Sequence, residues 1–205
     1  MNKAFLLRRV IYKMKMDKLA GSKNDEFYTP YYAIKPILKY IEPNSTVWCP
    51  FDTEDSFYVK AMELEGHNVI FTHISNGEDF FTVEVPECDY IISNPPYSLK
   101  TEVLERLFGI GKPFAMLLGV VGIFESQRRF KMFRDNNFEI MYMNLRVDYF
   151  KSYEELKPSK NPPFSSVYVC HNMLPDTIVF ESIDKKELLV ESDRILDEQN
   201  LEVAE

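Results

Sequence analysis

The sequence predicts an α/β fold built on an open, doubly wound, mostly parallel sheet. Short apolar runs alternate with amphipathic segments along most of the 205 residues, which is the pattern of strand-helix-strand units. Residues 113–121 are nearly all apolar, as expected of a central parallel strand covered on both faces. Residues 90–92 form a second apolar run, which two prolines stop. In such sheets ligands bind at the carboxyl ends of the strands.

Local patterns define each element in turn. Strands are predicted at residues 46–51, 68–74, 90–92, 113–121, 139–147 and 164–170. Helices are predicted from Pro30 until shortly before Pro43 and at 54–65, 99–108 and 126–135. Thr29 is a suitable N-cap for the first helix, and Thr53 is one for the second. The first helix has one apolar face, formed by Ile34, Ile37, Leu38 and Ile41.

Charge divides the chain into three parts. The total is 24 basic against 32 acidic residues, a net charge of −8. Residues 1–23 carry +6 and are predicted to be a basic arm, either an amphipathic helix or a frayed end. Residues 181–205 carry −6 and are predicted to be a solvated acidic tail. The domain between them, residues 24–180, has no broad basic face, so any contact with nucleic acid must be local.

Cysteine usage and hydropathy restrict the class of protein. The three cysteines lack Cys-x-x-Cys spacing, so neither a disulfide framework nor a zinc site is predicted, and no metal is expected. They fit a reducing compartment, and we expect a cytoplasmic protein. No apolar stretch approaches the roughly 18 residues of a membrane span, so no membrane partner is expected.

Chemistry is concentrated in Ser93-Asn94-Pro95-Pro96-Tyr97, directly after the strand at 90–92. The two prolines lack N–H groups, so the loop offers carbonyl acceptors with few donors. Asn94 adds an amide oxygen, and Tyr97 adds a ring on which a planar group can stack. Two acceptors beside an aromatic ring suit a flat amine, although the prolines could also serve only to end a strand.

This stretch resembles the catalytic motif of the adenine-N6 DNA methyltransferases. The resemblance implies a Rossmann-like fold with an antiparallel final strand, S-adenosylmethionine as methyl donor and DNA as partner. It also implies that Asn94, Pro95, Pro96 and Tyr97 are catalytic. Glutamine methylases of release factors share the motif, so RNA adenine and protein glutamine remain alternative substrates, as does a binding protein built on a decayed enzyme.

Three further segments resemble the cofactor-binding parts of that family. Phe27, Tyr28 and Thr29 resemble its N-terminal motif. The same residues could instead form a hydrophobic staple with a helix cap. Pro50, Phe51 and Asp52 align with its Asp-Pro-Phe-x-Gly-x-Gly-x-Phe loop. Asp79 and Phe80 resemble the pair that contacts the cofactor's adenine, or else Asp79 caps a turn. The implied cofactor residues are therefore Phe27, Tyr28, Thr29, Pro50, Phe51, Asp52, Asp79, Phe80 and Asn94.

The Pro-Phe-Asp loop departs from the family because Thr53 and Asp55 replace both glycines. Glycines allow close approach to a ligand, and the acids at 52, 54 and 55 would repel a pyrophosphate. S-adenosylmethionine carries cationic amino and sulfonium groups, which acids tolerate. The variant looks like one found in small phage and prophage proteins.

Two regions leave choices open. The acid that usually holds the cofactor ribose is absent after the second strand, where Thr72, His73 or Ser75 stands instead. In the family an aromatic before the last strand sandwiches the target base, and the loop at 148–163 makes Phe150 or Phe164 the candidate. Aromatics interleaved with lysines suit an unstacked base, but they could equally anchor the loop on the core.

Overall fold

The computed structural model describes residues 27–153, 156–158 and 164–190, and within them seven strands form one mixed sheet. They are β1 (Thr46–Cys49), β2 (Asn68–Phe71), β3 (Tyr90–Ser93), β4 (Phe114–Gly119), β5 (Glu139–Met143), β6 (Ser166–His171) and β7 (Ile178–Glu181). Their spatial order is β2-β1-β3-β4-β6-β5-β7. β2, β1, β3 and β4 are parallel to one another. The predicted α/β class is therefore confirmed.

The predicted antiparallel final strand is only partly correct. β6 is antiparallel to both β4 and β5, but β7 follows it in the chain and pairs parallel with β5. β7 has four residues at the edge of the sheet, and Ile178 and Phe180 are 53% and 75% exposed. β7 is held in place by its pairing with β5 rather than by burial of its own side chains. Its sequence therefore lacks the alternation of apolar and polar residues that predicts a half-buried strand.

Four α-helices lie in the described ranges: α1 (Tyr31–Leu38) before β1, and α2 (Phe57–Leu64), α3 (Lys100–Ile110) and α4 (Gln127–Asp135) between strands. α2 joins β1 to β2 and α3 joins β3 to β4, in opposite directions across the sheet. Because such crossovers are right-handed, the two helices lie on opposite faces. The chain order reverses between β1 and β3, and ligands of open α/β sheets bind beyond the strand ends at such a point.

Both predicted threonine caps are wrong. Pro30 occupies the N-cap of α1 without a side-chain hydrogen bond. α2 begins at Phe57, later than predicted, because residues 53–56 first form a turn in which the Ser56 N–H donates to the Thr53 carbonyl. The two threonine hydroxyls are therefore not used to start helices.

The core lies on both sides of β4 and β6, in which every residue is buried. The residues after β7 were expected to be solvated, but those up to 190 contact the domain, and residues 187 and 188 contact α1. Ile183 and Val190 are buried, and the Tyr31 N–H donates to the Leu188 carbonyl at 3.1 Å. Lys35 pairs with Glu187 at 2.7 Å. The predicted basic arm, and the tail beyond 190, lie outside the described residues.

Candidate active site

A cavity of about 310 Å³ lies at the carboxyl ends of β1 and β3. This volume is at the lower end of the range for small-molecule sites, about 300–1,000 Å³. The segment before α1 and the loops after β1, β2 and β3 form its walls. All nine residues predicted to hold a cofactor line it: Phe27, Tyr28, Thr29, Pro50, Phe51, Asp52, Asp79, Phe80 and Asn94. That they bind a cofactor stays a prediction.

Asn94 follows β3 directly, and its amide has one orientation. Nδ2 donates to the Phe27 carbonyl at 2.7 Å, and since a carbonyl oxygen only accepts, the amide nitrogen must face it. The other atom, Oδ1, is buried and has no hydrogen-bond partner among the described residues. Leaving a buried acceptor unsatisfied costs about 1–3 kcal/mol. The fold therefore keeps an acceptor that an N–H group of a ligand would satisfy.

Thr29 presents a second unsatisfied group to the cavity. Its side chain is 1% exposed, and its Oγ1 has no hydrogen-bond partner within the described ranges. The hydroxyl that was expected to cap α1 is left instead at the cavity, which Thr29 lines. Two buried, unpartnered oxygens around one cavity indicate a polar ligand.

Asp52 places a carboxylate in the floor of the cavity. It is 7% exposed and accepts hydrogen bonds from the hydroxyls of Ser56 and Ser93. Burial raises the pKa of Asp52 to about 6, and the two serine hydrogen bonds offset part of the rise. The carboxylate is thus held in a fixed position, and a cation in the cavity would favour its charged form.

The loop after β2 contributes two of the three residues considered for ribose binding. His73 and Ser75 line the cavity, and the Ser75 N–H donates to His73 Nδ1 at 3.2 Å. Thr72 does not line it, and its Oγ1 accepts from Trp48 Nε1 at 3.0 Å. Asp79 both lines the cavity and accepts from the Phe81 N–H at 2.9 Å, so it caps a turn as well.

Tyr97 lies beside the cavity in a cluster of four aromatic rings with Phe27, Tyr149 and Phe164. Phe27 stacks on it, with ring centroids 5.1 Å apart and 28° between the planes. Phe164 meets it edge-on at 5.5 Å. Tyr97 is only 9% exposed. A face on which a base was expected to stack is therefore covered by Phe27.

The two candidate target-base aromatics occupy different places. Phe164 belongs to the Tyr97 cluster, whereas Phe150 is 2% exposed and does not fit the role. The Phe150 N–H donates to the Tyr28 carbonyl at 2.8 Å, and its ring meets Phe57 at 5.8 Å. Phe150 therefore anchors its loop on the core. Of the two prolines, Pro96 lines the cavity, and Pro95 is buried without lining it.

Sequence reasoning did not assign Tyr153 or Ser56 to the site, although both line the cavity. The Tyr153 hydroxyl donates to the Thr29 carbonyl at 3.4 Å and lies 3.5 Å from Ser56 Oγ. Burial raises the pKa of Tyr153 well above its usual range. Tyr153 lies in the aromatic-rich loop at 148–163, and this loop was predicted to contact the target base rather than the cofactor cavity.

The cavity lining carries carboxylates. Asp52, Glu78 and Asp79 line it, and among the described residues no lysine or arginine does. Arg106 packs against Phe80 from outside that lining, with its guanidinium carbon 5.2 Å from the ring centroid. Acids and aromatic rings together suit a cationic ligand with a planar group.

The described ranges hold no group of three or more histidines, cysteines or acids that could bind a metal ion. Within the same ranges, no helix has both the length and the apolar character needed to cross a membrane.

Comparisons with known proteins give likenesses in structure only. No protein-family model and no curated protein matches the chain. The methyltransferase subunit of a type I restriction-modification system from Streptococcus thermophilus is similar at 14% identity with a TM-score of 0.49, over 86% of this chain and 53% of that one. A modification subunit ascribed to a type I restriction enzyme of Vibrio vulnificus YJ016 gives 11% and 0.46, over 96% and 58%. The chain thus spans somewhat more than half the length of either protein.

Proposed function

We propose that this chain is an S-adenosylmethionine-dependent methyltransferase that modifies the exocyclic N6 amine of adenine in DNA. The observation that carries the proposal is Asn94. Its oriented amide leaves a buried acceptor, at the cavity and beside the Tyr97 cluster, with no partner among the residues that the structure describes. Prolines that merely end a strand require no such acceptor. The choice of DNA, and a phage or prophage origin, rest on the resemblance of the residue motifs.

The residues around the cavity fit the proposed cofactor. Asp52, Glu78 and Asp79 favour a ligand with cationic groups, and they disfavour the phosphates of a nucleotide. Phe51 and Phe80, whose ring centroids are 4.7 Å apart, offer apolar faces for a purine. Thr29 supplies a hydroxyl that lacks a hydrogen-bond partner among the described residues. When bound, S-adenosylmethionine supplies the methyl group.

Asn94 and the Pro95 carbonyl are proposed to act on the acceptor amine. The lone pair of an adenine amine is delocalised into the ring, so this nitrogen is a weak nucleophile. Two acceptors that hold its two hydrogens localise the pair as charge develops, which stabilises the transition state. The amine can release its proton after the methyl group arrives, so no dedicated general base is needed.

Tyr97 is proposed to stack the base once it has left the duplex. Phe27 now covers a face of Tyr97, so the base would take the place of the Phe27 ring. Phe164 lies edge-on to both rings, at 5.5 Å from each. The base would therefore replace one ring of an existing aromatic cluster and keep the contacts with Tyr97 and Phe164.

The test is whether DNA from cells that express the protein gains N6-methyladenine, measured by mass spectrometry of digested DNA. Expression of Asn94→Ala, which lacks the amide, serves as the control and should give no gain. Equal modification by the parent and Asn94→Ala would refute the assignment.

A second assay separates the alternatives. The purified protein is offered radiolabelled S-adenosylmethionine with duplex DNA, single strands, RNA and release factors. Transfer only to RNA or to protein would replace the proposed substrate. No transfer, together with no heat of binding at millimolar S-adenosylmethionine, would indicate a binding protein that has lost the chemistry.

A further inference from the structure

The Tyr97 side chain is joined by hydrogen bonds to two buried residues that do not line the cavity. Its hydroxyl lies 2.6 Å from that of Tyr149, and the Tyr149 hydroxyl donates to Ser166 Oγ at 2.7 Å. Since Tyr149 has a single hydroxyl proton, Tyr97 must be the donor in the first hydrogen bond. Tyr149 and Ser166 are 1% and 3% exposed, so solvent does not compete for these bonds.

A glycine limits the same ring from another side. Gly119 ends β4 and pairs with Ser166 across the sheet. A Cβ added to Gly119 would lie 3.1 Å from Cε2 and 3.2 Å from Cδ2 of Tyr97, and 3.3 Å from the Phe164 ring. The Tyr97 ring therefore lies directly against the β4 backbone, in space that any larger residue would take.

We propose that Tyr149 is a positioning residue that, with Ser166 and Gly119, sets the orientation of Tyr97 for the target base. The inference rests on the proposed function. A stacking ring must hold its orientation to within about 10–20° to be productive, and the Tyr149 hydroxyl fixes the far end of the ring. Tyr149 is not among the residues that line the cavity. Its ring also lies 5.2 Å from that of Phe27, but Tyr149→Phe keeps this ring contact and removes only the hydroxyl that Tyr97 contacts.

The chain contains a matched network that serves as a control. Tyr58 and Tyr168 are fully buried, their hydroxyls lie 2.8 Å apart, and Tyr168 donates to the Ala33 carbonyl at 3.0 Å. Tyr168 thus occupies the same middle position in its chain of hydrogen bonds as Tyr149. Neither Tyr58 nor Tyr168 lines the cavity.

The kinetic test compares Tyr149→Phe, Tyr97→Phe, the double variant and Tyr168→Phe. Tyr149→Phe should lower kcat about tenfold while the KM for S-adenosylmethionine changes less than twofold. The double variant should match Tyr97→Phe, because both single changes remove the same hydrogen bond between Tyr97 and Tyr149. The bond to Ser166 that Tyr149→Phe also removes does not involve Tyr97. Tyr168→Phe should leave kcat unchanged, although its Tm should fall by about as much as that of Tyr149→Phe. Additive losses, an unchanged kcat in Tyr149→Phe or an equal loss in Tyr168→Phe would overturn the inference.

An independent measurement does not require methyl transfer. In NMR spectra of protein with labelled tyrosine rings, the signals lost in Tyr97→Phe identify that residue. Its hydroxyl proton should exchange slowly in the parent and at least tenfold faster in Tyr149→Phe, with no change in Tyr168→Phe. Equal exchange in parent and Tyr149→Phe would overturn the positioning role. If the parent methylates nothing while the exchange changes as expected, only the proposed function fails.

Discussion

The side-chain amide of Asn94 donates to the backbone carbonyl of Phe27, with 2.7 Å between Nδ2 and the oxygen. This bond joins the loop after β3 to the segment before α1, residues that are 67 positions apart in sequence. The same Phe27 stacks its ring on Tyr97. One residue therefore orients the Asn94 acceptor with its backbone and covers the Tyr97 ring with its side chain.

Replacing Asn94 by aspartate should strongly impair methyl transfer with almost no change in side-chain shape. The donor to the Phe27 carbonyl becomes an acceptor, and two oxygens then face each other across the bond. Loss of one oriented polar group in a transition state typically lowers kcat by about 10²–10³, and we expect a loss of that size. Radiolabelled methyl transfer measures it.

A matched aspartate substitution controls for that variant. Asn144 uses its Oδ1 to accept from the Ile183 N–H at 3.0 Å, so Asn144→Asp keeps an oxygen where one is needed. It should retain parental activity. A parental rate in Asn94→Asp would contradict the proposed role of the amide.

Thr29→Val should make the protein more stable and the site weaker. Valine has the same shape but lacks the hydroxyl, which has no hydrogen-bond partner in the described part of the chain, so we expect a gain of about 1–2 kcal/mol in unfolding free energy. Affinity for S-adenosylmethionine should fall about five- to tenfold if the hydroxyl binds the ligand. Urea denaturation and calorimetry measure the two effects.

Thr72→Val is a control in which the expected change in unfolding free energy has the opposite sign. It removes the acceptor of the buried Trp48 Nε1–H and should destabilise the fold by about 1–3 kcal/mol. If Thr29→Val were destabilised as Thr72→Val is, the Thr29 hydroxyl would have a structural partner and no free capacity for a ligand.

Asp52 should make stability depend on pH between about 4 and 6. Burial raises its pKa from 3.8 to about 6, so the folded protein retains a proton that the unfolded chain releases. Its contribution to stability is complete below pH 4 and is lost as pH rises through 6, a change of about 3 kcal/mol. Asp52→Asn lacks this titration. Urea unfolding of both proteins at pH 4 and pH 7 isolates the difference, and a constant difference would refute the raised pKa.

Gly119→Ala should impair methyl transfer without weakening cofactor binding. The new methyl group would press on the rings of Tyr97 and Phe164, which lie outside the cavity lining. Gly109→Ala is the control, because a Cβ there meets nothing within 4 Å and alanine stabilises a helix by about 0.5–1 kcal/mol over glycine. Parental kcat in Gly119→Ala would show that the ring tolerates displacement.

The sequence predicted the α/β class, because apolar runs and helical periodicity report burial directly. It also brought together, by resemblance, nine residues that do line one cavity. Thr29 was misassigned as a cap because a cap pattern does not show whether the hydroxyl is left at a ligand site instead, and Thr53 was misassigned because a turn over residues 53–56 precedes α2. Phe150 and Tyr153 lie in the same polar loop, and only tertiary packing distinguishes the ring in the core from the ring in the cavity. β7 was missed because it lies at the edge of the sheet with apolar side chains exposed, so its sequence does not alternate between apolar and polar residues.

Residues 181–190 also have a practical consequence for deletion experiments. Glu187 and Leu188 contact α1, and α1 begins two positions after Thr29. A chain shortened after residue 180 would strip Ile183 and Val190 from the apolar surface they cover and leave the Tyr31 N–H without its acceptor. Loss of ligand binding on such truncation would reflect a collapsed support behind the pocket, and it would not identify the acidic segment as a ligand contact.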